Sequence, residues 1–98
     1  MTYEDGYHLL QDHNLIQYAP QIVKLLQSEA DPDMRAKFVE LVGDADLAEN
    51  IPHLMHELSH ADRTVRFWAY NQLSQSQHDS ARARAEEYRQ SHPAEDFY

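Results

Sequence analysis

The sequence contains no cysteine, so it has neither a disulfide framework nor thiolate chemistry. Glycine is almost missing. Gly6 and Gly43 are the only two, too few for a glycine-rich loop that wraps a phosphate. Nothing in the serine and histidine spacing suggests a strained nucleophile turn. Positive charge is scarce: 8 Lys and Arg face 17 Asp and Glu, a formal net charge of −9. A nucleic-acid binder needs cations to displace counterions from phosphates, and an anionic membrane surface makes the same demand. The expectation is therefore no nucleic acid and no membrane. No apolar run approaches the roughly 20 residues that span a bilayer. The opening MTYEDGYHLL has no basic stretch followed by an apolar one, so it does not read as a signal peptide. A cytoplasmic location is expected.

What is present is one domain's worth of chain, 98 residues. A domain of this size has a modest core and little room for an enclosed substrate cavity. The charge is uneven. Residues 1–50 hold 10 acids and 3 bases, and residues 51–98 hold 7 acids and 5 bases. The acidic face belongs mainly to the first half, and a basic protein is the partner that such a field draws in.

The chain repeats itself. Pro20-Gln21-Ile22-Val23-Lys24-Leu25-Leu26 lies over Pro52-His53-Leu54-Met55-His56-Glu57-Leu58 at an offset of 32, with apolar positions in register except where Leu25 meets Glu57. Ala30-Asp31-Pro32-Asp33-Met34-Arg35 lies over Ala61-Asp62-Arg63-Thr64-Val65-Arg66 at an offset of 31. Leu9 and Leu10 precede Leu41 and Val42 by 32, which suggests a partial earlier unit. Each unit reads as two helices. Asp31 and Asp62 are N-caps, Pro32 suits a first helical position, and Gly43 is a natural stop. Pro20 and Pro52 fall early in a second helix. Met34, Phe38, Leu41 and Val42 form one apolar stripe, and Val65, Ala69 and Leu73 the matching one. The spacing predicts helices near 3–12, 16–28, 32–42, 47–60, 63–75 and 79–91. The last has a thin stripe of Ala81, Ala85 and Tyr88 under a charged face, as a capping helix has. The domain is thus 1–91, followed by a segment 92–98 that leaves the helix at Pro93 and is expected to be mobile.

These two copies, over roughly residues 15–75, resemble the HEAT-repeat family in its short bacterial, PBS-lyase-like form. The resemblance implies an all-α fold, a short right-handed α-solenoid of about three antiparallel helix hairpins. It implies a structural ladder through Asp31, Arg35, Asp62 and Arg66, and a second helix of each hairpin that lines the concave, ligand-facing side. A single hairpin cannot bury its apolar face alone, so stacking is also a physical requirement.

Three groups of residues are candidates for function. His53, His56 and His60 lie opposite the apolar stripe of Ile51, Leu54, Met55 and Leu58 on an ideal helix. With Glu49 and Glu57 they form an expected partner-binding face. His56-Glu57-Leu58-Ser59-His60 also spells H-E-x-x-H, which resembles the zincin metallopeptidase motif: on a helix, two imidazoles share a face for zinc and the glutamate serves as base. Asp62 stands where that family favours an apolar residue, and no third ligand is evident. Phe67, Trp68 and Tyr70 flank the core stripe of their helix as an aromatic hot spot, unless neighbouring helices or Phe97 and Tyr98 cover them. The leading expectation is a non-enzymatic, cofactor-free, protein-binding module, monomeric or weakly dimeric. Small acidic toxin-neutralising immunity proteins, some of them HEAT-like, offer an analogy of size, charge and fold. The alternatives are a zinc-dependent hydrolase, a general adaptor, and a pH-responsive adaptor in which seven protonated histidines raise the charge from −9 to −2.

Overall fold

A computed structural model describes residues 15–98, and the helix expected near 3–12 lies outside them. The described residues are all-helical. They form α1 (Leu15–Ser28), α2 (Pro32–Ala45), a 3₁₀ turn (Ala48–Asn50), α3 (Ile51–Glu57), α4 (Arg63–Ser74) and α5 (Asp79–Ser91). None of these helices is long and apolar enough to cross a membrane.

Both aspartate caps form. The Asp31 carboxylate accepts the Met34 N–H at 3.1 Å, with Pro32 opening α2. The Asp62 carboxylate accepts the N–H groups of Thr64 and Val65 at 2.9 and 3.3 Å. Each satisfies donors that the first helical turn leaves open. Pro20 lies inside α1, where its missing N–H leaves the Ile16 carbonyl without the usual partner.

Helix α2 packs most extensively against α4; α1 lies on α2, and α3 and α5 both lie on α4. The core follows from this order. Val65, Ala69 and Leu73 are fully buried on α4, as the spacing predicts. Helix α2 departs from the predicted single stripe. Met34 and Phe38 are only half-buried, while Ala36 and Val39 join Leu41 and Val42 in the core. A helix held between α1 and α4 buries two sides, which a one-sided wheel does not anticipate.

Gly43 does not stop α2. The helix continues to Ala45, and Asp46 takes the left-handed cap at φ 51°. The glycine is there for closeness: a Cβ on it would stand 2.4 Å from Cβ and Cγ of Gln72 on α4. Gln72 in turn donates from Nε2 to the Glu40 carbonyl at 2.6 Å and to Asp44 Oδ1 at 2.9 Å. Asp46 then holds the α4–α5 loop. Its carboxylate accepts from Ser76 Oγ at 2.5 Å and from the Gln77 N–H at 2.8 Å.

Gly43→Ala therefore forces α2 and α4 apart. The expected loss is about 1–3 kcal/mol of unfolding free energy, read as a lower urea midpoint.

Candidate functional site

One arginine position recurs at three helix starts. Arg35, Arg66 and Arg82 each stand four residues after an N-cap, namely Asp31, Asp62 and His78. Each turns Nη1 back to the carbonyl six residues earlier: Glu29 at 3.0 Å, His60 at 3.0 Å and Ser76 at 2.7 Å. This ties the helix to the loop before it and leaves the rest of the guanidinium free to reach outward.

Arg35 reaches Glu57 at the end of α3. Nε lies 2.5 Å from Oε1 and Nη2 lies 2.8 Å from Oε2, a two-pronged pair with Glu57 2 % exposed. Hydrogen bonding to the carboxylate raises the Arg35 pKa further. Arg66 makes the same fork with Glu95, at 2.8 and 3.2 Å. The expected Asp–Arg ladder is therefore replaced by Arg–Glu forks, while Asp31 and Asp62 act as caps. Glu57 stands 22 residues after Arg35, and 22 residues after Arg66 stands Tyr88. Its hydroxyl donates to Glu95 at 2.6 Å, so a residue from the 92–98 segment supplies the carboxylate that α5 lacks at that position.

The histidine face is rearranged by the same pair. Helix α3 ends at Glu57, not near residue 60. The next N–H groups, of Leu58, Ser59 and His60, reach back three residues to Met55, His56 and Glu57 at 3.1 Å each, tightening the chain toward a 3₁₀ turn. In such a turn, residues four apart are rotated by about 120° instead of the roughly 40° of an α-helix. His56 and His60 thus do not share the helical face that H-E-x-x-H requires. Glu57 has both oxygens on Arg35, and His60 Nδ1 accepts the Asp62 N–H at 2.9 Å. Among the described residues, no group of three His, Asp or Glu is placed to hold a metal ion.

The structure brings His53, His56 and Glu57 together. They line a groove of about 390 Å³ with Leu26 and Gln27 of α1 and with Arg35. His56 is exposed, His53 is half-buried, and Glu57 belongs to the floor. Glu57 is therefore corrected from a partner-facing residue to a buried structural one. Glu49 is exposed but lines a separate, smaller hollow with Ile16, Ala19, Pro20, Leu47 and Asn50. Sequence reasoning missed the α1 wall of the groove. The signal was the register that places Leu26 and Gln27 over Leu58 and Ser59.

The aromatic group is also covered. The segment expected to be mobile folds back over α4. Phe97 lies 5.6 Å from both Phe67 and Tyr70, and Tyr98 lies 5.1 Å from Tyr70. Phe67 meets Trp68 edge-on at 5.4 Å, and the Arg63 guanidinium sits over Phe97 at 5.4 Å. Phe67, Trp68 and Tyr70 are consequently half-buried. The Arg66 fork, helped by the Tyr88 hydroxyl, holds the Glu95 pKa down to about 2. Burial and the neighbouring Glu95 push the Tyr88 hydroxyl up.

No protein-family model matches the chain, and no curated protein or solved structure matches it either.

The depressed Glu95 pKa sets an acid limit for the docked segment. A carboxylate bound more tightly in the folded state stabilises it above its ordinary value, near 4.5, and that stability is lost as pH falls toward about 2. Near-UV circular dichroism of the chain should lose its aromatic signal over that window. Glu95→Gln should lack that part of the transition; identical profiles for the two chains would contradict the fork.

Proposed function

We propose that the chain is a HEAT-like helical module that acts by binding another protein. Within that class the best reading is a small acidic inhibitor or immunity protein that occludes a basic partner, such as a toxin or nuclease. It acts in the cytoplasm, without cofactor, as a monomer or weak dimer. The helices are read as a short right-handed solenoid, with α2 and α4 as one layer and α1, α3 and α5 as the other. The groove between α1 and α3 belongs to the second layer, the ligand-facing one in HEAT hairpins.

One observation carries this reading: the distribution of charge after the internal pairs are formed. In the second half, Arg63, Arg66, Arg82, Arg84 and Arg89 all pair with acids of the same half. In the first half, three bases stand among 10 acids, and one of the three, Arg35, is taken by Glu57. Lys24 and Lys37 remain there, against exposed Asp31, Asp33 and Glu49 among the described residues. The acidic field therefore reaches solvent over the first half of the chain, which also supplies the α1 wall of the groove, and the exposed His56 offers contact surface there. Such a field speeds encounter with a cationic surface, and contacts at the centre of the interface set how long the complex lasts.

Affinity capture with the tagged chain at low and high salt tests this. A basic protein should be recovered, more strongly at low salt. Asp33→Lys with Glu49→Lys, both on exposed sites, should slow association about tenfold and flatten its salt dependence. His56→Ala should speed dissociation instead. Capture unaffected by all three substitutions would overturn the proposed face.

A further inference from the structure

The shelf formed by Arg63, Arg66, Phe67 and Tyr70 of α4 with Tyr88 of α5 recognises a particular chemistry, and its present occupant shows which. Glu95 enters the Arg66 fork and accepts from Tyr88; Asp96 accepts from Arg63 Nε at 2.6 Å; Phe97 and Tyr98 lie on the aromatic rings. Every one of these attachments is made by a side chain. The backbone stays on the end of α5 only at His92, whose N–H bonds to the Tyr88 carbonyl at 2.9 Å; the Glu95 N–H then turns back to the His92 carbonyl at 3.2 Å. Residues 95–98 are thus held on the shelf by the side chains of two acids and two aromatics.

Two further features separate this from ordinary packing of a chain end. The helices supply Arg66 with no carboxylate in the way Glu57 serves Arg35, because the residue 22 places after Arg66 is Tyr88. With the segment lifted, Nε and Nη2 of Arg66 and an aromatic face are left without these partners, an arrangement suited to a replacement. The segment also leaves open space beside it. A cavity of about 560 Å³ lies between Leu58, Ser59, Arg66 and Tyr88 on one side and residues 91–95 on the other. The connection is anchored on one side only: the His92 N–H bonds to the Tyr88 carbonyl at 2.9 Å and its ring stacks on Tyr88 at 4.0 Å, while Pro93 and Ala94 are exposed.

We propose that this shelf is a docking site for an acidic-aromatic peptide segment of a partner protein, and that residues 95–98 occupy it in cis as a placeholder. The site is separate from the α1–α3 groove and stands or falls independently of the inhibitor reading. A placeholder on a short connection competes at an effective concentration in the millimolar range, so the untouched chain binds such a peptide weakly.

The test uses the 98-residue chain and a fluorescent synthetic peptide, His-Pro-Ala-Glu-Asp-Phe-Tyr, followed by anisotropy. Glu95→Gln loosens the placeholder while keeping its aromatic packing. The Glu95→Gln chain is expected to bind the peptide at least tenfold more tightly than the unaltered chain. Adding Arg66→Ala should abolish binding, and a peptide with Gln and Ala in place of Glu and Phe should not bind. Equal affinity of the two chains, or no saturable binding by a Glu95→Gln chain of unchanged helicity, would overturn the proposal. If Glu95→Gln does not fold, the unaltered chain decides. Millimolar peptide should shift the indole N–H resonance of Trp68, the single tryptophan, and an unmoved resonance would overturn the proposal. Sedimentation of the Glu95→Gln chain should show a monomer; a dimer would mean that a second copy's own segment is the occupant and would overturn the partner assignment.

Discussion

An arginine four residues into a helix, bent back onto the preceding loop and forked onto a glutamate, is the contact on which the rest of this fold depends. Arg35 performs all three tasks with Glu29, its own helix and Glu57. Burying such a pair removes two charges from water, and the cost is recovered only when the geometry is two-pronged and the remaining donors are satisfied. Both conditions hold at Arg35. The consequence reaches outward. Glu57 is drawn into the floor between α1 and α3, α3 ends there, and the following turn carries His60 off the face that His56 occupies. The histidine groove owes its shape to an ion pair beneath it.

The repeat of this device at Arg66 explains the 92–98 segment. The fork there has the same atoms and nearly the same lengths, but its glutamate comes from a different place in the chain. The two ends of the described structure therefore differ in kind. One presents acids and a groove to solvent. The other hides arginines and aromatics under an acidic-aromatic strap that the same arginines hold down. The arginines and aromatics at that end of α4 are thus covered by the chain's own acids and aromatics.

Much of the scaffold was legible in the residues. The aspartate caps, the α4 stripe of Val65, Ala69 and Leu73, and the bounds of α5 follow from rules that act within one or two turns. What was not legible depended on partners far along the chain. Glu57 looks exposed in the sequence because it is charged and sits among the histidines away from the apolar stripe; its burial is decided by Arg35, 22 residues away. Gly43 reads as a helix stop because that is glycine's common local role, whereas here Gln72 needs the space. The H-E-x-x-H spacing assumes an unbroken α-helix, and the tight turn after Glu57 removes that assumption. Phe97 and Tyr98 read from the sequence as covers for α4, but the Glu95 fork that fixes them depends on the three-dimensional register.

Glu57 holds the helices together through its fork with Arg35. A double-mutant cycle on stability, with Arg35→Ala and Glu57→Ala singly and together by urea titration, tests it most directly. Each single substitution should cost about 3–5 kcal/mol, because it leaves one charge buried without its partner. The pair should cost less than the sum, with a coupling of roughly 1–3 kcal/mol. Single losses within about 0.5 kcal/mol of zero, with additive effects, would match ordinary surface residues and contradict the account.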